Sequence, residues 1–249
     1  MKQILLTGGT GMLGKAIIKS GKFKNLLAPS SSELDICNPD KIKRFLDQNK
    51  VHYIIHAAAM ARLVGSENTP LVAIHKNIIG TSNLVSAVIN EESMTGSSIR
   101  FLHISTDGVY AGTEGKYHEN SSTIPKTKYG WSKLGAECAV RFLANHCIIR
   151  TRFFDTENIP FETSAVDIYT SKIPLNLLVQ YICQILQDAY IGTLNVGGER
   201  ISDFACYSKY KSSIKECSRE DIAREVPFEV PSDISMDISN FNNSFKITS

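Results

Sequence analysis

Three glycines constrain this chain more than any other feature. Gly8, Gly11 and Gly14 fall three residues apart, between the apolar run Ile4-Leu-Leu-Thr7 and a helical pattern that begins at Met12. Glycine suits such a place because it allows a tight turn, a close backbone approach to a ligand, and close packing of helix on strand. The helix N-terminus then faces a pyrophosphate. The spacing G-x-x-G-x-x-G departs from the G-x-G-x-x-G form, and a glycine-rich turn without a ligand is the bland alternative. A P-loop is excluded, because no Gly-Lys-Ser/Thr follows.

The strand–helix rhythm continues beyond the loop. Strands are expected at 3–7, 25–28, 53–58, 100–105, 147–151 and 193–196, and helices at 12–20, 39–48, 70–90, 129–145 and 173–188. Asn38-Pro39 and Thr69-Pro70 each supply a helix cap followed by a first-turn proline. Such alternation predicts an α/β fold, a doubly wound parallel sheet covered by helices on both faces. After Arg152 the rhythm loosens. We read residues 1–153 as the first domain, with 171–198 returning to it, and 154–249 as a short, less regular lobe. Ser218-Arg-Glu-Asp221 is a capping box for a short helix, and the polar stretch 240–249 is expected to fray.

Several function classes fall away. Lys+Arg 27 against Asp+Glu 25 gives a net charge of +2, far from a nucleic-acid footprint. The Cys residues at 37, 138, 147, 183, 206 and 217 show neither a C-x-x-C pair nor zinc-ligand spacing, so reduced thiols and no metal are expected. No run approaches the roughly 18 apolar residues of a membrane span, and the short apolar start reads as a strand and not a signal peptide. The expectation is a cytoplasmic chain.

Chemistry concentrates further on. Tyr129 and Lys133 are four apart and share a helix face, where an ammonium can stabilise a tyrosinate and lower the phenol's pKa. Thr106 follows the apolar strand Phe101-Leu-His-Ile-Ser105, which puts its hydroxyl at a strand's carboxyl end, where open α/β sheets bind ligands. Ser105 is a rival that alternation turns to the opposite face. Asp107 reads either as a substrate ligand or as a cap for the following loop. His52 and His56 sit on a strand without a third ligand, and His103 reads as a satisfied core residue. Trp131 is expected to pack between helix and loop. Pro29-Ser-Ser-Ser32 offers hydroxyls where an acidic residue would favour a ribose diol, which leans the cofactor towards NADP over NAD. Asp35-Ile36 is placed beside the adenine, and Glu33 reads as a loop carboxylate or a ribose ligand.

With these residues in view, the chain resembles the extended short-chain dehydrogenases/reductases, and within them the dTDP-4-dehydrorhamnose reductase group. The similar segments are Thr7-Gly-Gly-Thr-Gly-Met-Leu-Gly14, Glu33-Leu-Asp-Ile36, His56-Ala-Ala-Ala59, Asn77-Ile-Ile-Gly-Thr81, Ser105-Thr-Asp-Gly-Val-Tyr110, Tyr129-Gly-Trp-Ser-Lys133, Ile149-Arg-Thr151, Gly197-Gly-Glu-Arg-Ile-Ser202 and Ser235-Met-Asp-Ile-Ser239. The resemblance implies a Rossmann-type domain with a small substrate lobe, and reduction of a keto group on a nucleotide-linked sugar with NADP or NAD. It implies that Thr106, Tyr129 and Lys133 form the catalytic triad. The cofactor would be held by Gly8, Thr10, Gly11, Met12, Leu13, Gly14, Ser31, Asp35, Ile36, Ala57, Ala58, Ala59 and Asn77, together with Tyr129 and Lys133. Asn77 would support the lysine through water, or bond locally within its helix. Asp107 and Arg152 would face the sugar, and a homodimer is compatible with the family.

The departures concern the substrate. Gly108 stands where the family has an aromatic residue, and Arg152-Phe-Phe154 replaces a Ser-Trp pattern. The segment 155–170 is short where the family inserts a further helix and strand. An epimerase or dehydratase with retained NAD, or a cofactor-binding regulatory subunit, therefore stays open beside the reductase.

Overall fold

The computed structural model describes residues 2–245. Five strands of the main sheet come from the first part of the chain: β1 (Gln3–Thr7), β2 (Leu26–Leu27), β3 (Val51–His56), β4 (Arg100–Ile104) and β5 (His146–Thr151). A later strand, Gly192–Val196, joins β5 at the edge, giving the order β2-β1-β3-β4-β5-(192–196), parallel throughout. The expected α/β fold with a parallel doubly wound sheet is thus observed.

The helices are α1 (Met12–Ser20), α2 (Pro39–Gln48), α3 (Leu63–Asn68), α4 (Pro70–Ala73), α5 (Gly80–Thr95), α6 (Lys128–Val140) and α7 (Leu175–Gln187). Strand alternation divides the core between the two faces. Leu6, Ile55, Leu102, Ile104, Ile149 and Leu194 pack with α1 and α7 residues such as Ile17, Leu178 and Ile182. Leu5, Ile54, Phe101 and Ile148 pack with Ile42 of α2, Leu84 and Val88 of α5, and Val140 of α6.

Local chemistry accounts for most boundaries. Asn38 caps α2 by accepting from Lys41 N at 3.0 Å, with Pro39 in the first turn. Thr69 does not cap in this way; its hydroxyl donates back to Gly65 O at 2.8 Å. The expected single helix from 70 to 90 is interrupted by a π-helical segment, Ile74–Ile79, and runs on to Thr95, where Gly96 (φ 68°) closes it. The helix expected over 129–145 ends at Val140, and Leu143 turns inward.

Residues beyond β5 form short pairings: Phe153–Phe154 with Ile173–Pro174, Thr163–Ala165 with Lys215–Cys217, and Tyr169–Thr170 with Ile201–Ser202. The capping box at Ser218 is present, with Ser218 and Asp221 bonded reciprocally. The expected fraying is contradicted up to Phe245. Residues Ser239–Phe245 form a helix, anchored by fully buried Phe241 against Tyr181 and Phe245. The rest of that expectation, 246–249, lies outside the described residues. Trp131 also departs from expectation. It is 54% exposed on α6, because the inner face of that helix is taken by Ser132, Lys133, Ala136 and Glu137. Among the described residues, no helix is long and apolar enough to cross a membrane.

Candidate active site

The sheet order reverses between β1 and β3, and such a switch point is where open α/β sheets bind ligands. Gly8 leaves β1 with φ +79°, and a Cβ there would stand 2.6 Å from Ala58 N and 2.7 Å from the Ala57 carbonyl carbon. A Cβ on Gly14 would run into the Gly8 carbonyl. Both positions therefore exclude a side chain. Gly11 differs: a Cβ would meet only Gly8 O, at 3.4 Å, so its outer face is bare. It is also the N-cap of α1, with no side-chain cap, and this leaves first-turn N–H groups available to an anion. Ala57, Ala58 and Ala59 line the neighbouring edge half-buried, Thr10 and Met12 are exposed, and Leu13 is buried. These residues fit a dinucleotide's pyrophosphate.

The turn after β2 is organised from within. Glu33 accepts from Ser30 N and Ser30 Oγ, both at 2.7 Å, and these bonds hold its carboxyl below the usual range. Asp35 Oδ1 accepts from Cys37 N at 2.9 Å. Ile36 is buried beneath α5, where a Cβ on Gly80 would lie 2.8 Å from its Cδ1. Ser31 stands exposed.

Across the sheet, the carboxyl ends of β4 and β5 and the start of α6 bring a second group together. Thr106 Oγ1 accepts from Gly108 N at 3.0 Å and donates to Asp107 Oδ1 at 3.1 Å. Asp107, 1% exposed, accepts from Arg152 Nε at 2.6 Å. Burial disfavours the Arg152 charge, but this pairing outweighs it and raises the guanidinium's pKa. Thr127 caps α6 by accepting from Gly130 N, which sets Tyr129 in the first turn. Burial first, then the charge of Asp107, push the Tyr129 phenol up to about 12; Arg152 and the neighbouring Thr106 hydroxyl act in the opposite direction. Thr106, Asp107, Tyr129 and Arg152 thus meet at one place. Ser105, as alternation predicts, points elsewhere and donates to Glu137 Oε1 at 2.6 Å.

The expectation that Lys133 lowers the phenol's pKa is not met in this structure. Lys133 is 2% exposed, and its Nζ lies 3.2 Å from His103 Nε2. Burial lowers its own pKa to about 8, with Glu137 opposing the shift. Asn77 also behaves differently from the expected water-mediated support. Its Oδ1 accepts from Met60 N (2.7 Å), and its Nδ2 donates to Met60 O (3.2 Å) and Ser132 Oγ (2.8 Å). Both amide hydrogens are thereby used.

A row of buried polar residues beneath these groups was not anticipated. On the α2/α5/α6 face, the last inward residues of the strands are Thr7, His56, His103, Ser105, Arg150 and Asn195. Thr7 Oγ1 and Thr81 Oγ1 flank His56 at 2.6 and 2.9 Å, and burial lowers the His56 pKa to about 3. Arg150 donates to both Glu137 oxygens (3.0 and 2.7 Å) and to Tyr110 OH (2.9 Å). Tyr110 OH in turn donates to Asn195 Oδ1 at 2.8 Å. The signal lay in the sequence as polar residues recurring at one parity of otherwise apolar strands.

The family model described as RmlD substrate binding domain matches residues 1–168. A dTDP-4-dehydrorhamnose reductase of Aggregatibacter actinomycetemcomitans is 34% identical over 154 residues, covering 60% of this chain and 50% of that protein. A methionine adenosyltransferase 2 subunit beta of Pongo abelii is 28% identical over 184 residues, covering 69% of this chain and 53% of that one. The chain thus spans about half the length of these curated relatives. Among solved structures, a dTDP-4-dehydrorhamnose reductase from Bacillus anthracis in complex with NADP superposes with a TM-score of 0.83 at 21% identity, over 98% of this chain and 92% of that one. At that identity the likeness establishes the fold.

Proposed function

This chain belongs to the RmlD substrate binding domain family, and from that premise we propose that it is an NADP- or NAD-dependent oxidoreductase that reduces a keto group of a nucleotide-linked sugar. The reading is carried by the meeting of Thr106 and Tyr129 at the β4/α6 end of the cleft, beside the glycine cradle at β1/β3. Gly8, Gly11, Gly14 and Ala57 to Ala59 would hold the dinucleotide's pyrophosphate side, and Lys133 its nicotinamide ribose. The chemistry such a cofactor would supply when bound is a hydride for the carbonyl carbon of the sugar. Tyr129 would give its phenolic proton to the carbonyl oxygen, and the Thr106 hydroxyl, whose one hydrogen points to Asp107 Oδ1 here, would rotate to donate to the same atom. A phenol pushed up to about 12 is fully protonated at neutral pH, which suits the reductive direction. Asp107 and Arg152 present an acceptor and a donor to the sugar hydroxyls. Asp107 is ion-paired with Arg152 and is followed by Gly108, so the glutamate partner expected beside it in a dehydratase is missing. Ser31 and its neighbouring hydroxyls support the lean towards NADP.

The test is oxidation of NADPH and NADH in the presence of dTDP-, GDP- and UDP-keto-sugars. Turnover with at least one is expected, and Tyr129→Phe should lower it by roughly 10²–10⁴-fold. No oxidation with any of them would sink the reading.

A second reading has its own support. The likeness to the Pongo abelii methionine adenosyltransferase 2 subunit beta covers 69% of this chain, against 60% for the Aggregatibacter reductase, and among the described residues the hydrogen-bond partner of Lys133 Nζ is His103. On that reading the chain is a cofactor-binding regulatory subunit. Co-purification with a larger enzyme whose activity depends on this chain, with no keto-sugar turnover, would decide for it.

A further inference from the structure

His103 occupies an unusual position. It is fully buried on β4, on the face where Phe101 of the same strand belongs to the apolar core. The Lys133 ammonium has only hydrogens to give, so His103 Nε2 accepts and the ring proton resides on Nδ1. Nδ1 is buried without a hydrogen-bond partner among the described residues. A buried donor left unpaired is costly, and a Leu or Phe at this site would avoid that cost. What a hydrocarbon side chain could not do is accept from Lys133. Among the described residues, the contact at 3.2 Å is the hydrogen bond this ring makes, and it accounts for an imidazole here where the ring contact with His56 at 5.3 Å would suit any aromatic side chain.

We propose that His103 is a positioning residue for the cofactor: by accepting one hydrogen from Lys133 Nζ, it fixes the ammonium so that its other two N–H groups serve the hydroxyls of a bound dinucleotide's ribose. The inference rests on Lys133 being the cofactor-side lysine of the proposed oxidoreductase. An ammonium carries three donors, so His103 and a ribose diol can be satisfied together. Without His103, a charge that is 2% exposed loses its hydrogen-bonded neighbour on the sheet.

The surroundings of Lys133 make the effect depend on pH. From β3 comes His56 and from β4 His103, both kept neutral by burial and by the lysine's own charge. From α6 come Tyr129 and Glu137, with Arg150 of β5 and Arg141 bonded or close to the Glu137 carboxylate. The π-helical segment and α5 present buried Asn77 and Thr81, while His75 and Lys76 are exposed. Burial already brings the lysine to about 8. Removing its acceptor destabilises the charged form further, so the lysine loses its proton at lower pH.

The experiment is fluorescence titration of the full chain with NADPH, and separately NADH, between pH 6 and pH 9.5, alongside thermal melts. Wild-type affinity should hold up to about pH 8 and weaken above it. His103→Leu should bind about tenfold more weakly at pH 8, with the alkaline fall displaced downwards, because a hydrogen bond to a charged group is lost. His103→Gln, whose side-chain oxygen reaches towards the Nε2 position, should restore both affinity and profile. A His103→Leu profile that superposes on wild type would overturn the proposal, whatever the melting temperature. So would a His103→Gln variant that folds but resembles His103→Leu. Wild-type protein that binds neither nucleotide would instead overturn the functional reading beneath it, and the two failures are distinguishable.

Discussion

The two faces of the main sheet end differently. On the α1/α7 side, apolar residues run towards the carboxyl ends of the strands, through Leu6, Ile55, Ile104, Ile149 and Val196, with buried Thr151 at the end of β5 the exception. On the α2/α5/α6 side, the same strands begin apolar, with Leu5, Ile54, Phe101 and Ile148, and finish with Thr7, His56, His103, Arg150 and Asn195. Both rows are buried, so exposure does not explain the change. The apolar row needs only volume and shape. The polar row needs hydrogen-bond partners, and for three of its members these come from α5 and α6: Thr81 for His56, Lys133 for His103, Glu137 for Arg150. One face of the sheet therefore supplies stability. The other ties α6, which carries Tyr129 and Lys133, to the strand ends in one orientation.

This contrast can be broken most severely at Glu137. Glu137→Leu strands the Arg150 guanidinium, 2% exposed, and should cost about 4 kcal/mol, since a buried charge left unpaired is strongly destabilising. The double variant Glu137→Leu/Arg150→Met should recover most of that loss in urea unfolding. If the single and double variants were equally unstable, the polar row would not be a set of mutually dependent pairs. On the opposite face, Ile149→Ala should cost roughly 3 kcal/mol through lost burial and a cavity. No second substitution on the polar side should rescue it, and the loss should be the same at pH 5.5 and pH 7.5.

The contrast also explains what could be read from the chain alone. The apolar face was legible because strand position and partner face follow from local alternation and from the glycine, Asn-Pro and capping-box signals. The cradle was legible for the same reason, being a local strand–turn–helix event. The polar face was legible only as residue types, because each partnership joins residues distant in sequence. Asn77 sits on a helix, but its amide is used by Met60, 17 residues away, and by Ser132, 55 away. His103 reads as a core histidine until Lys133, 30 residues on, is placed against it. Phe241 and Phe245 already carried helical spacing inside a polar stretch. Their importance emerges only when Tyr181 of α7 is seen beneath them.

Lys133 sharpens the comparison in the opposite direction, because here the polar face works against stability. Its folded pKa of about 8 lies below its ordinary 10.5, so between these values the unfolded chain binds more protons and stability rises with pH. Below pH 8 the full burial penalty is present. Lys133→Met should therefore stabilise the protein at pH 7, by roughly 2 kcal/mol, and the gain should vanish above about pH 10.5. A Lys133→Met protein no more stable than wild type at pH 7 would show that His103 and Glu137 compensate the charge fully.

The smallest effect concerns His56, and it separates the faces by acid alone. Its pKa of about 3 lies below the ordinary 6.5, so the native state remains neutral while the unfolded chain takes up a proton. The stability tied to this neutrality is complete above pH 6.5 and drains away as pH falls towards 3. His103 is shifted in the same direction. Between pH 7.5 and pH 5.5, His56 should cost the folded state about 1 kcal/mol, and His103 adds a loss of the same sign. His56→Gln keeps a polar group between Thr7 and Thr81 but does not titrate, so it should remove the His56 share, about 1 kcal/mol, of that acid-dependent loss. Ile149→Ala should leave the loss unchanged. Urea midpoints at the two pH values measure both. An unchanged slope in His56→Gln would mean that the acid sensitivity arises outside the polar row. A changed slope in Ile149→Ala would mean that the two faces are coupled through the sheet and do not act independently.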